Sequence, residues 1–176
     1  PTLPKLKLMA SSRSAGKIIT VGGKDLVVEE AAVDSFDDVD IAFISASSAV
    51  SHKLAPAAVE AGAVVIDDGS AFRMEDKVPL VVPEVNGSDV EWHEGIISIP
   101  NCSTTPLVMA AHPLHEVNPI KRIVADTYQS VSGSGQKAIE ELKNQTLDLL
   151  HGKEVRPKVY PHQISFNCLP HIDKFL

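Results

Sequence analysis

The chain has 176 residues, 44% of them apolar and 22% charged, which suits one large domain or two small ones and excludes a disulfide-dependent miniprotein. A net charge of −7 with only 5% aromatic residues and no basic stripe argues against a nucleic-acid partner, and no apolar run approaches the roughly 20 residues of a membrane span. Two cysteines are too few for a secreted disulfide framework or a four-thiolate zinc site; with no signal-peptide pattern after Pro1, a reducing cytoplasm is expected.

In chain order, Leu6 to Ala10 reads as a strand that runs into the polar loop Ser11-Ser12-Arg13-Ser14-Ala15-Gly16-Lys17. Lys17 to Val21 and Leu26 to Glu29 read as a hairpin joined through Gly22-Gly23-Lys24-Asp25. The continuous apolar run Ile41 to Ala46 predicts a strand buried on both faces. Val50, Leu54, Ala57, Ala58 and Ala61 recur at helical spacing, with Gly62 as the stop signal and Pro56 predicting a late start or a bend. Ala63 to Asp67 is the next strand, so residues 41–67 form a strand-helix-strand unit with a right-handed crossover expected. This half has the pattern of a doubly wound sheet.

Residues 69–95, rich in Gly and Pro, predict a loop-rich connection that adds no new core element. Ile96 to Ile99 reads as a short strand, Leu107 to Val117 as a mostly buried helix, and Ile120 to Ser130 as a further strand. Gln136 to Leu150 predicts an amphipathic helix with Ile139, Leu142, Thr146 and Leu149 on one face, ended by Gly152. The chain contains neither an internal repeat nor a low-complexity segment.

Cys102, in Asn101-Cys102-Ser103-Thr104-Thr105, falls between a predicted strand and a predicted helix. At a helix N-terminus the N–H groups and the macrodipole favour a thiolate over a thiol, and a thiolate there is a nucleophile. The same N–H groups with the Asn101 amide suit an oxyanion. The competing reading is that Cys102 is a buried small hydrophobe, which is also the reading for Cys168, where no helix follows.

The loop 11–17 offers hydroxyls and two cations directly after a strand. At the second strand of a dinucleotide-binding sheet an acidic residue marks NAD and basic residues mark the 2′-phosphate of NADP; a solvated polar turn is the alternative. The Gly-x-Gly-x-x-Gly loop does not occur, and Gly133 and Gly135 read as a flexible turn. Arg73 sits just past a strand end, where open sheets bind ligands, or is an ordinary surface arginine. His112 and His115 lie three apart, but Pro113 stands between them and no third ligand is evident, so no metal site is expected. His52, His93, His151, His162 and His171 read as surface or packed residues.

Together these stretches resemble aspartate-semialdehyde dehydrogenase over nearly the whole chain, in order. The motifs are Arg13-Ser14-Ala15-Gly16-Lys17, Asp67 to Arg73 followed by Val78 to Asn86, Pro100 to Thr104, Thr127 to Gly135, and Pro161 to Asn167. The resemblance implies an α/β fold: a partial doubly wound, Rossmann-type NADP-binding sheet over 1–99. The start of an α+β catalytic and dimerisation domain, of the glyceraldehyde-phosphate-dehydrogenase-like type, would occupy 100–176. It implies reversible NADPH-dependent reduction of L-aspartyl 4-phosphate to L-aspartate 4-semialdehyde with release of phosphate, toward lysine, threonine, methionine and isoleucine. Cys102 is then the nucleophile, Asn101 the oxyanion donor, Gln129 the residue positioning the acyl group, and Arg73 a fork for the phosphate. Ser12, Arg13, Ser14 and Lys17 surround the 2′-phosphate, and Ser45, Ala46 and Ser47 line the cofactor crevice. A homodimer or homotetramer is expected.

The chain departs from the family pattern at Ser47-Ser48, where Gly-Gly is common. The family's glycine-rich first loop, and its catalytic histidine, carboxylate-binding arginine and amino-group-binding glutamate, have no counterparts between Pro1 and Leu176; neither His162 nor His171 matches the histidine's motif. The expectation is an internal fragment, inactive alone. Rival readings are another acyl-phosphate reductase such as N-acetyl-glutamyl-phosphate reductase, a glyceraldehyde-phosphate dehydrogenase relative, a non-catalytic oligomerisation or binding fragment, and, more remotely, a thiol hydrolase.

Overall fold

A computed structural model describes residues 5–170; His171 lies outside them. The chain divides into two compact units, Pro1–Arg122 and Ile123–Leu176.

Among the described residues the first unit holds two three-stranded sheets. In one, β1 (Leu8–Ala10) pairs parallel with β3 (Lys24–Glu30), and β3 pairs antiparallel with β2 (Ile18–Val21). The β2–β3 hairpin is tighter than the four-residue connection expected. Val21 pairs with Lys24 across a two-residue turn, and Gly22 and Gly23 both have positive φ (58° and 78°), which matches the twist of the flanking strands.

The second sheet is all parallel, in the order β4 (Ile41–Ile44), β5 (Val64–Asp67), β6 (Ile96–Ser98). Helix α1 (Ser48–Glu60) connects β4 to β5. It starts well before Pro56, because the Ser47 carbonyl accepts the N–H groups of Val50 and Ser51, so the expected late start does not occur. Its end is a Schellman turn: Gly62, at φ 96°, donates to Val59 while Ala63 donates to Ala58, a conformation glycine adopts without steric penalty.

Leu54, Ala55 and Ala58 of α1 pack on Ala42, Ile44 and Val65 of the sheet, with Phe36, Ala63 and Phe72 closing the core. Burial on this scale makes Leu54→Ala cost about 2–5 kcal/mol. The strand β4 is not buried on both faces as its apolar run suggests. Ala42 and Ile44 point inward, whereas Ile41 and Phe43 are 55% and 78% exposed, because α1 covers one face only.

The connection 69–95 also differs from the loop expected, since it contributes to the core. Phe72, Pro79, Val81 and Val82 are buried, and residues 79–81 extend the sheet at its edge, where Ser98 donates to the Pro79 carbonyl and Val81 donates to the Ser98 carbonyl. The one-turn helix α2 (Pro83–Asn86) and a 3-10 stretch over Gly87–Trp92 follow. Helix α3 (Thr104–Val117) begins three residues earlier than predicted, and none of its residues is buried. Its hydrophobicity signals a covered helix, but among the described elements its main packing neighbour is the short α2.

In the second unit the predicted strand over 120–130 does not form: residues 123–130 have no regular structure, and Val124 and Tyr128 are 75% and 85% exposed. Strand propensity without a partner strand among the described residues leaves no ladder to join. Helix α4 (Gln136–Leu150) has the predicted limits; of its predicted face Leu142, Thr146 and Leu149 are half-buried and Ile139 is 38% exposed, while the residues it buries are Ala138, Glu141 and Gln145. The reason is polar. The Glu141 carboxylate accepts the N–H groups of Lys158, Val159 and Tyr160, and Gln145 Oε1 accepts those of Ile164 and Ser165. The segment 158–165 has no ladder of its own and satisfies its backbone on these two side chains.

Candidate active site

Strands β4, β5 and β6 are parallel, so their C-terminal ends lie on one edge of the sheet. That edge carries Ser45-Ala46-Ser47 after β4, Asp68 to Arg73 after β5, and Asn101-Cys102 after β6. Ligands of open α/β sheets bind outside this edge.

Asn101 makes the turn from β6 into α3. Its carbonyl accepts the N–H groups of Thr104 (2.8 Å) and Thr105 (3.2 Å), and its side-chain Oδ1 accepts the Ser103 N–H (2.9 Å) and hydroxyl (2.8 Å). Asn101 therefore does the capping that the sequence pattern assigns to a helix start, although the residue adjoining α3, Ser103, is already helical (φ −87°, ψ −26°). Cys102 stands inside this turn, exposed, with Sγ 3.7 Å from Asn101 Oδ1. It is not the buried small hydrophobe of the competing reading, and neither is Cys168, which is exposed as well.

Arg73 is tethered to the same edge. Its Nε donates to the Ile99 carbonyl (2.9 Å) and its Nη2 to the Asp68 carbonyl (3.0 Å). Ile99 lies three residues before Cys102, so the guanidinium spans the ends of β5 and β6 beside the segment that carries the thiol. It is more than an untethered surface arginine.

Asp68 links this group to the loop after β4. Its N–H donates to the Ile44 carbonyl (2.8 Å), and its Oδ2 accepts the Ser45 hydroxyl (3.0 Å). Ser48 and Ser70 hydroxyls meet at 3.1 Å. A Cβ at Gly69 would lie 3.3 Å from the Ala46 carbonyl oxygen, so the two loops approach closely here, with Ser47-Ser48 in the chain that follows Ala46.

The loop 11–17 follows β1 in the other sheet of this unit. Ser14 and Ala15 donate to the Ser11 carbonyl, and Gly16 donates to the Val28 carbonyl on β3. This tight turn leaves Ser12, Arg13 and Lys17 exposed and Ser14 half-buried, which collects two cations and two hydroxyls on one turn.

Gln129 belongs to the second unit, in its irregular stretch, with Nε2 3.9 Å from where a Cβ on Gly133 would stand. Among the described residues, no group of three His, Cys, Asp or Glu side chains is arranged to hold a metal ion. His112 Nε2 lies 3.8 Å from the Glu116 carboxylate, and His115 Nδ1 accepts the Ile120 N–H. The sequence reading missed Asp68 as the bridge between Ser45 and Arg73, although an Asp67-Asp68 pair ending an apolar strand was a visible signal.

The family described as "Semialdehyde dehydrogenase, NAD binding domain" matches residues 1–93, and the "Semialdehyde dehydrogenase, dimerisation domain" matches residues 112–176. The chain belongs to the semialdehyde dehydrogenase family.

Within that family it is homologous to aspartate-semialdehyde dehydrogenases. The Bacillus subtilis aspartate-semialdehyde dehydrogenase is 47% identical over 177 residues, 97% of this chain and 51% of the relative. The crystal structure of aspartate semialdehyde dehydrogenase II from Vibrio cholerae, complexed with ASA, superposes with a TM-score of 0.89 at 44% identity, over 99% of this chain and 52% of that one. The Candida albicans aspartate semialdehyde dehydrogenase, solved with NADP, matches at a TM-score of 0.53 and 32% identity, over 65% of this chain and 40% of that one. The chain thus spans about half the length of the semialdehyde dehydrogenase relatives it matches. Among the described residues, no helix is long and apolar enough to cross a membrane.

Proposed function

We propose that this chain carries the nucleophile-bearing half of an NADP-dependent aspartate-semialdehyde dehydrogenase. The observation that carries the reading is an exposed Cys102 in the turn that Asn101 caps into α3, three residues beyond the carbonyl that anchors Arg73. The substrate pair is L-aspartyl 4-phosphate and L-aspartate 4-semialdehyde, and the step serves lysine, threonine, methionine and isoleucine synthesis. The cytoplasm is its compartment. The working assembly is a homodimer or homotetramer, in keeping with the dimerisation domain matched over 112–176.

The Cys102 sulfur attacks the acyl carbon, the carbonyl electrons move onto oxygen, and their return expels phosphate and leaves a thioester. The Asn101 Nδ2 donors serve that developing oxyanion; the expected first-turn N–H groups of α3 do not, because those of Ser103, Thr104 and Thr105 are already given to Asn101 and Pro106 has none. Arg73 holds the phosphate as a planar fork, with its own plane fixed by the two carbonyls. Gln129 positions the acyl group.

NADPH, when bound, supplies the hydride that reduces the thioester carbon. The chain's donor set suits this cofactor: Ser12, Arg13, Ser14 and Lys17 on one turn match a phosphate dianion, and Ser45, Ala46 and Ser47 line the adjoining crevice. Protonation at Cys102 Sγ accompanies collapse of the hemithioacetal and release of the aldehyde. The chain spans about half the length of the relatives it matches, and alone it is expected not to turn over.

The test is covalent. Incubation with aspartyl phosphate and no NADPH is expected to add one aspartyl group to the intact mass, mapped to Cys102 and absent in Cys102→Ala. Iodoacetamide is expected to modify Cys102 faster than Cys168, which is exposed as well. Equal rates together with no adduct would favour a non-catalytic binding or oligomerisation fragment.

A further inference from the structure

Beneath the Arg73 tether lie two polar side chains that the proposed chemistry does not use. Asp67, the last residue of β5, and Ser98, the last of β6, are both 0% exposed and are register partners. Parallel neighbours stand about 4.8 Å apart and in-register side chains leave the sheet on the same face. Asp67 Oδ1 accepts the hydroxyl of Ser51, also 0% exposed, at 2.8 Å. Among the described residues, Asp67 Oδ2 and Ser98 Oγ have no hydrogen-bond partner.

Buried polar atoms are almost always paired, with protein or with ordered water, because leaving them unpaired forfeits their solvation. Here the two unpaired atoms belong to register partners whose side chains leave neighbouring strands on the same face of the sheet. One is acceptor-only, a carboxylate oxygen. The other is a hydroxyl that both donates and accepts. A hard cation needs six or more oxygen ligands, far more than this pair supplies, whereas a water needs two to four polar partners.

We propose that an internal water joins Asp67 Oδ2 to Ser98 Oγ, and that this bridge makes Asp67 and Ser98 positioning residues for Arg73. The water donates to Oδ2 and accepts the Ser98 hydroxyl. The residues that follow these two are Asp68 and Ile99, whose carbonyls hold the Arg73 Nη2 and Nε. The spacing of the two strand ends therefore sets the spacing of the two carbonyls, and with it the plane of the guanidinium.

The surroundings make the bridge a fixed strut. Ser98 is gripped on its far side by the Pro79 carbonyl and the Val81 N–H, and Ile99 donates to the Asp67 carbonyl at 3.1 Å. Asp67 is held by Ser51 of α1 and roofed by Gly69, where a Cβ would meet both carboxylate oxygens at 3.3 and 3.4 Å. The consequence for phosphate recognition rests on the proposed role of Arg73; the bridge itself does not.

The test uses the whole chain with 15N-labelled arginine. Solvent exchange of the Arg73 Nε–H is compared with that of the core amide of Val65. Ser98→Ala is expected to speed Arg73 exchange at least tenfold and leave Val65 within twofold, with protection restored in Ser98→Thr. Crystals of the wild-type chain diffracting well enough to show internal water are expected to place one within hydrogen-bonding distance of both atoms. An unchanged Arg73 rate in Ser98→Ala overturns the inference, as does an equal acceleration of Val65, which marks a general loss of stability. If Ser98→Ala does not fold, Asp67→Asn takes its place, and if neither folds, a wild-type crystal with no water between the two atoms overturns it. Titration with inorganic phosphate separates the two proposals: an Arg73 Nε resonance that does not shift counts against the phosphate role and leaves the exchange result standing.

Discussion

Gly69 occupies a point where three oxygen atoms converge. A Cβ there would meet the Ala46 carbonyl oxygen at 3.3 Å and the two Asp67 carboxylate oxygens at 3.3 and 3.4 Å. None of the three can retreat easily, since Asp67 is fully buried and bonded to Ser51. Gly69→Ala is expected to cost about 1–3 kcal/mol, the usual range for overpacking, read as a lower urea midpoint with an unchanged slope. No midpoint shift would show that the loop after β4 yields freely. At this scale the sequence exposed part of the site. Cys102 and Arg73 declare themselves by standing just past strand ends, where chemistry gathers in open sheets. Asp67 and Ser98 do not, because burial of a single polar residue depends on what the chain brings over it, here Gly69, Ser51 and residues 79–81.

Among the elements, α4 departs from its hydrophobic pattern for a polar reason. Its limits follow from composition, Gly135 before it and Gly152 after it, but the pattern treats Glu141 and Gln145 as outward. They turn inward because a strandless segment needs acceptors, a demand set by residues 158–165 and invisible to helical periodicity. Hydrogen bonds to a charged acceptor contribute about 1.5–3 kcal/mol, and Glu141 accepts three main-chain donors. Glu141→Ala is expected to release residues 158–160 to fast hydrogen–deuterium exchange, with little change in the amides of β5, which lies in the other unit. Retained protection over 158–160 would mean that side-chain packing, not the carboxylate, holds the segment. The failed strand over 120–130 has a related cause: propensity marks residues that fit a sheet, and only a neighbouring strand makes one. Where both partners are local, as in the β2–β3 hairpin and the α1 C-terminus, the sequence is read to within two residues.

For the molecule as a whole, the most telling surface is the uncovered face of β4. Phe43 at 78% and Ile41 at 55% exposure leave apolar area open on the face that α1 does not cover. Hydroxyl-radical footprinting is expected to modify Phe43 several-fold faster in this chain than in a form extended to the relatives' length. Equal rates would show that the face stays open to solvent in both.

The cysteine count, two in all and both exposed, has a practical side. Cys102 falls in one compact unit and Cys168 in the other, so the native thiols provide one attachment point per unit with no engineering. Paired spin labels on them make the protein its own ruler, and the width of the measured distance distribution reports directly how rigidly its two halves are coupled.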